Sequence, residues 1–321
     1  MNRLLDLQDL VVHFKVNKGN KPYLVQAVDG VSFTVDRGET LGLVGESGCG
    51  KTTVGRAIAG FTEVKSGKII FDGTELGPLT IKSVRSRMQM VFQDPYSSLD
   101  PRMTVNDIVG EPLDIQFPRM DRKERNGLIL EKMRLVGLNA EHLSRFPHEF
   151  SGGQRQRISI ARAMVTQLDF LICDEPVSAL DISIQAQIIN MLMDLQEQFG
   201  LAYLFIAHDL SVVRHISRRV AVMYLGHIME HNTAEDLYAH PLHPYTLALL
   251  SAIPVPDPRI SRSRRRIVLK GDVPSPINPP SGCVFRTRCP YAQEICQEEV
   301  PRPEDIGAGH IVACHRFREI A

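Results

Sequence analysis

The sequence predicts an α/β fold whose sheet is largely parallel and covered by helices on both faces. Three observations predict it. The apolar run LGLVG (residues 41–45) has the length of a buried strand, ends in a glycine-rich loop and leads into a helical pattern over 51–60. FLICD (170–174) is a second buried strand, followed by an amphipathic helix over 184–199. AYLFIAHD (202–209) and RVAVMYLG (219–226) close the alternation as two further strands.

The remaining elements follow in order. Residues 4–16 and 31–36 alternate and are rich in Val and Phe, as strands are. KIIFDG (68–73) and MQMVF (88–92) are two more strand candidates. Residues 104–137 read as mainly helical, interrupted at Pro112 and Pro118. A helix starts after Ser151 and runs through Ala163. Composition changes near residue 232, beyond which come PVPDP, the basic run SRSRRR and VPSPINPPSG. A second, smaller region is expected over 233–321.

Composition narrows the function. The chain has 321 residues, no Trp, and 37 Lys plus Arg against 37 Asp plus Glu. Zero formal charge argues against a bulk nucleic-acid binder, whose footprint is a basic domain. No apolar stretch approaches the roughly 20 residues of a spanning helix. Asp6 and Asp9 interrupt the apolar part of the N-terminus, so it is a poor export signal and the expected compartment is the cytosol. The six Cys are then expected as thiols or ligands, not disulfides.

GESGCGKT (45–52) fits G-x-x-x-x-G-K-[ST] in full, between a strand and a helix. Gly45, Gly48 and Gly50 let the backbone turn its N–H groups inward onto phosphate oxygens. Lys51 supplies a point charge to the β and γ phosphates, and the Thr52 hydroxyl is the expected Mg²⁺ ligand. Cys49 has no required role and reads as a small spacer. FLICDEP puts Asp174 and Glu175 at the C-terminal end of an apolar strand, where open α/β sheets bind ligands. Asp174 would hold Mg²⁺, and Glu175 would polarise the attacking water. FSGGQRQRISIARA opens at Phe150, with Ser151, Gly152 and Gly153 at a helix start that exposes N–H groups to an anion. An isolated SGG is more often a loop. Here it is a second phosphate site on one chain, which hints at a dimer with nucleotide sandwiched between protomers.

On these motifs the chain resembles the ABC transporter ATPase family over residues 4–232. The resemblance implies a P-loop ATPase cassette, a mixed sheet with a helical subdomain at about 96–165. It implies ATP contacts along Gly45, Glu46, Ser47, Gly48, Cys49, Gly50, Lys51, Thr52 and Thr53. SGGQ, from Ser151 to Gln154, is similar to the family's signature motif, with Phe150 where Leu is commoner. Gln93 in VFQDP resembles the glutamine that touches Mg²⁺ and water and couples to the membrane subunit. SALD, ending at Asp181, resembles the D-loop, His208 in IAHD resembles the switch histidine at the γ-phosphate, and Phe14 falls where an aromatic stacks on adenine.

QDPYSSLDPRMTV, CDEPVSALDISIQAQI, HPLHPYTLALLSAIPVPDP and PSPINPPSGCVFRTRCP resemble the second ATPase subunit of dipeptide and oligopeptide importers. Nickel and some sugar importers share that subfamily, and a soluble ABC ATPase is the remaining alternative. The resemblance implies a sister ATPase (or a second copy), two permease subunits, an extracytoplasmic binding protein and a place on the cytoplasmic face of the cell membrane. Cys283, Cys289, Cys296 and Cys314 have the spacing C-x₅-C-x₆-C-x₁₇-C, looser than zinc pairs usually are. That spacing and the resemblance favour a [4Fe–4S] cluster over zinc or free thiols. The cluster is expected far from the phosphates, in a structural or regulatory role. SRSRRR (261–266) reads as a solvated linker or as a contact for anionic lipid or a partner subunit.

Overall fold

A computed structural model describes residues 2–19, 21–254 and 266–320. The strands are β1 (Arg3–Lys18), β2 (Lys21–Asp36), β3 (Thr40–Val44), β4 (Ser66–Phe71), β5 (Thr74–Glu75), β6 (Met88–Val91), β7 (Phe170–Asp174), β8 (Ala202–Ala207), β9 (Arg219–Tyr224), β10 (His227–Thr233), β11 (Glu304–Asp305) and β12 (Ile311–Val312). The helices used below are α1 (Lys51–Ile58), α2 (Ile81–Val84), α3 (Pro95–Ser98), α4 (Val105–Gln116), α5 (Arg122–Leu135), α6 (Gly152–Met164), α7 (Ile182–Phe199), α8 (Leu210–Ile216), α9 (Ala234–Ala239) and α10 (Pro244–Ser251).

The chain forms two compact units. One comprises residues 1–4, 35–39 and 71–206, and the other residues 5–34, 40–70 and 207–321. In the first, β6, β7 and β8 are parallel neighbours, with Met88 opposite Phe170 and Phe170 opposite Ala202. Phe170, Leu171, Ile172 and Cys173 are all fully buried, as a strand covered on both faces requires. Helices α4, α5 and α6 pack on one another in the same unit.

Pro112 lies inside α4 and does not interrupt it, against the sequence expectation. Proline removes one N–H, but buried Ile108, Val109 and Leu113 on the same helix keep its apolar face packed. The break falls after Gln116, near Pro118, and Asp121 caps α5 by accepting from the N–H groups of Lys123 and Glu124.

In the second unit β3 and β9 run parallel, with Leu41 opposite Arg219, and β10 returns antiparallel to β9. The tail strand β12 then pairs antiparallel with β10, His231 opposite Ile311. Strand β10 was not expected from sequence. Its Glu230, His231 and Asn232 are buried, so its polar letters hide an interior strand. It ends at Thr233.

Candidate functional site

The loop after β3 and the start of α1 belong to the second unit. Gly45 has φ 155° and Gly50 has φ 109°. A Cβ on Gly45 would lie 2.1 Å from the Met223 carbonyl oxygen, and one on Gly50 would lie 2.2 Å from that of Ala27. Close backbone approach on both sides therefore requires glycine at these two positions. Lys51, only 4% exposed, donates from Nζ to the carbonyl oxygens of Gly45 (2.8 Å) and Glu46 (3.0 Å). The ammonium is thus held inside the concavity of its own loop, where successive N–H groups favour an anion. Cys49 is buried and its thiol is pushed up in pKa, first by burial, with Lys51 opposing. Thr52 and Thr53 continue into the first turn of α1. In the same unit Phe14 projects from β1 as an exposed aromatic, and His208 is exposed just beyond β8. Asp209, next to it, caps α8 by accepting from the Ser211 N–H.

The carboxylates lie in the first unit. Asp174 ends β7 and is 2% exposed. Glu175 follows with φ 45°, a left-handed backbone uncommon for a non-glycine residue. Gln93, just past β6, donates from Nε2 to Glu175 Oε2 at 3.0 Å. Two residues 82 positions apart are thereby brought together, and the strained backbone at Glu175 marks the place where side-chain aim matters. Ser151 caps α6 in a capping box: its hydroxyl accepts from the Gln154 N–H, and Gln154 Oε1 accepts from the Ser151 N–H at 3.0 Å. Gly152 and Gly153 form the first turn. Arg155, one turn on, donates to the Pro147 carbonyl at 2.7 Å and lies 3.7 Å over the Tyr96 ring of α3. Asp181 precedes α7 as its N-cap residue, without a side-chain cap bond.

The cysteine tail is not remote from the phosphate loop, as the sequence suggested. Arg288, next to Cys289, makes a two-pronged pair with the Glu46 carboxylate, Nη1–Oε2 2.5 Å and Nη2–Oε1 3.1 Å. The Tyr245 hydroxyl accepts from the Glu46 N–H at 2.9 Å. Phe285 packs edge-on against Tyr224 (5.2 Å) and tilted against Tyr245 (5.3 Å). The HPYT segment explains the placement. His243 caps α10 by accepting from the Tyr245 N–H, and its own N–H donates to the buried Glu230 carboxylate. Glu230 also pairs with His310 from the tail at 2.8 Å. Burial pushes His243 down to about 4. Sequence reasoning noted HPYT only as a resemblance and gave no role to Glu230, Tyr245 or Arg288. Their partners lie up to 242 positions away, and no local pattern announces them.

The four tail cysteines are free thiols, Cys283 and Cys296 buried and Cys289 and Cys314 half-buried. Burial raises Cys283 to about 11, and Cys296, Cys314 and Cys289 each push it the same way. The Cys283 N–H donates to the Cys296 carbonyl at 2.8 Å. Among the described residues, no three His, Cys, Asp or Glu converge as one metal ion would require. Most of SRSRRR, residues 261–265, lies outside the described residues. No helix among the described residues is long and apolar enough to cross a membrane.

Comparison with known proteins gives a consistent picture. Residues 28–178 match the ABC transporter family model, and residues 229–296 match the C-terminal region of oligopeptide/dipeptide transporters. The oligopeptide transport ATP-binding protein AppF of Bacillus subtilis is 53% identical over 98% of this chain and 97% of its own length. The oligopeptide transport ATP-binding protein OppF of Escherichia coli is 51% identical over 97% of this chain and 95% of its own. Among solved structures, the ATP-binding cassette MJ0796, a dimer in a post-hydrolysis state with ADP and Pi, superposes with TM-score 0.65 at 25% identity. It covers 72% of this chain and 99% of that one.

Proposed function

Because the chain belongs to the ABC transporter family, among its oligopeptide transport ATP-binding proteins, we propose that it hydrolyses ATP to drive import of dipeptides and oligopeptides. Two permease subunits form the passage and hold this subunit at the cytoplasmic face of the membrane. An extracytoplasmic binding protein selects the peptide, and a sister ATPase or a second copy completes the pair. Residues 1–232 act as the cassette, with its helical part at about 96–165, and 233–321 as the C-terminal region.

The observation that carries this reading is the loop around Lys51, closed by two obligatory glycines and holding a buried ammonium. The loop N–H groups from Gly45 to Thr53 and Lys51 grip the β and γ phosphates. Phe14 stacks on adenine. Glu175 polarises the attacking water, and Gln93, bonded to it, holds its carboxylate in line. His208 contacts the γ-phosphate. Ser151, Gly152, Gly153, Gln154 and Asp181 close on the nucleotide held by the other protomer's loop. Thr52, Asp174 and Gln93 offer only hard oxygen donors, a set that fits Mg²⁺. That ion, when bound, neutralises phosphate charge. Purified subunit assembled with its permeases and binding protein in vesicles is expected to take up labelled dipeptide when ATP is inside with the subunit. Uptake of nickel or a sugar in its place would overturn the peptide assignment.

We also infer that Cys283, Cys289, Cys296 and Cys314 bind a [4Fe–4S] cluster. The family descriptions and the relatives' names do not speak of iron, so the support is the four-cysteine spacing and the electrostatic proximity of Cys289, Cys296 and Cys314 to Cys283. Cys283, Cys289, Cys296 and Cys314 would hold the cluster, which would cross-link a tail with little regular backbone structure of its own. Anaerobically purified protein is expected to be brown, with about four iron and four sulfide per chain. Stoichiometric zinc in colourless protein would overturn the assignment.

A further inference from the structure

Every polar group of Glu46 is fixed by a different part of the second unit. Its N–H donates to the Tyr245 hydroxyl, its carboxylate takes both prongs of Arg288, and its carbonyl accepts from Lys51 Nζ. Tyr245 is fully buried, and burial first of all pushes its phenol up, so the hydroxyl stays protonated. The Arg288 side chain is 8% exposed, so its pair with Glu46 is screened far less than a surface bridge. A charge-assisted fork of this kind fixes geometry as well as adding attraction.

We propose that Arg288 and Tyr245 are positioning residues of the nucleotide site, clamping Glu46 so that the phosphate loop keeps its shape and its acidic side chain is neutralised. The inference rests on the reading of residues 45–53 as the nucleotide loop. Two effects follow from the geometry. Arg288 cancels a carboxylate in the second position of a loop that takes polyphosphate, where an uncompensated negative charge repels the ligand. Tyr245 pins the Glu46 peptide, whose carbonyl shares the Lys51 ammonium, so a shift of that peptide moves the lysine as well. The tail supplies the clamp's rigidity. Arg288 lies between Phe285, packed on Tyr224 and Tyr245, and Cys289. The cysteine tail is therefore in mechanical contact with the phosphate loop, and whatever orders its four thiols also sets the position of Arg288.

The test uses the assembled transporter and separates KM from kcat. Arg288→Gln is expected to raise the KM for ATP about fivefold, roughly 1 kcal/mol, with kcat within about twofold. Adding Glu46→Gln to that variant removes the uncompensated charge and is expected to recover at least about half of the loss. A residue that merely staples the tail gives no such recovery. Tyr245→Phe, which deletes only the hydroxyl, is expected to raise the KM about twofold to threefold. Unchanged KM in Arg288→Gln, or no recovery in the double variant, overturns the proposal. If Arg288→Gln does not fold, Arg288→Lys together with Tyr245→Phe carries the test, and an unchanged KM in both overturns it. Lys51→Ala is the control: if it leaves ATP binding intact, the nucleotide reading of the loop fails, a result distinct from the failure of the clamp.

Discussion

The phosphate loop from Gly45 to Thr53 takes its shape from the main chain, whereas the tail from Cys283 onward takes its shape from side chains. In the loop, glycines at left-handed φ meet neighbouring carbonyls with no room for a Cβ, and the lysine bonds to the loop's own carbonyl oxygens. In the tail, among the described residues, only two four-residue helices (Ile295–Glu298 and Phe317–Ile320) and two two-residue strands repeat a backbone pattern. Phe285, Arg288, His310 and the four thiols do the rest, by packing, ion pairing and mutual approach. The difference teaches that a main-chain motif carries its geometry in consecutive letters, while a side-chain scaffold has none until the chain is folded.

The sharpest break between the regions is chemical. Glu175→Gln is expected to keep ATP binding and to lower turnover by about 10² or more, because the water loses its carboxylate. Lys51→Ala is expected to weaken nucleotide binding itself. Equal steady-state hydrolysis by Glu175→Gln and the parent protein would remove Glu175 from that role.

Acid probes the side-chain region next. His243 is buried with a pKa of about 4, below the ordinary 6.5, so below that value the unfolded chain binds a proton the folded chain refuses. Stability is full above about pH 6.5 and falls as pH drops toward 4, by about 3 kcal/mol for this one imidazole. His231, also lowered to about 4 by burial, acts in the same direction. Urea unfolding at pH 7, 5.5 and 4.5 checks the slope, and a flat profile would contradict the buried neutral state.

A smaller effect joins the regions. Cys289→Ser is expected to loosen residues from about 270 onward to protease and to raise the KM for ATP about twofold to threefold, because Arg288 loses its anchor. A cluster far from the phosphates, as expected from sequence, would leave the KM unchanged. An unaltered KM beside clear loosening would show that the tail's order and the loop's shape are independent.

The smallest effect calibrates the others. Arg125 and Asp114 form an ion pair in the helical part, with Asp114 side chain 55% exposed. Asp114→Asn is expected to cost no more than about 1 kcal/mol and to leave the KM for ATP unchanged, as exposed pairs do. A larger loss there than in Arg288→Gln would invert the ranking of buried over exposed pairs.

Reading β3, the loop and α1 from sequence worked because an apolar pentamer, spaced glycines and a helical pattern are all local. The same holds for β7 with Asp174 and Glu175, and for the Ser151 cap of α6, where the cap and its partner lie three residues apart. Strand β10 was hidden because the polarity of Glu230, His231 and Asn232 signals a surface until their burial is known. Pro112 misled because its cost is judged against a bare helix, and packing of Val109 and Leu113 outweighs it. Sequence by itself thus determined the cassette and the form of its Gly45–Thr53 loop, each written in short-range spacing. Only the tertiary structure decided that Gln93 meets Glu175 across 82 residues, and that Arg288 meets Glu46 across 242. Contacts of that separation depend on how strands pair and which side chains are desolvated together, and neither is encoded in any one stretch of the chain.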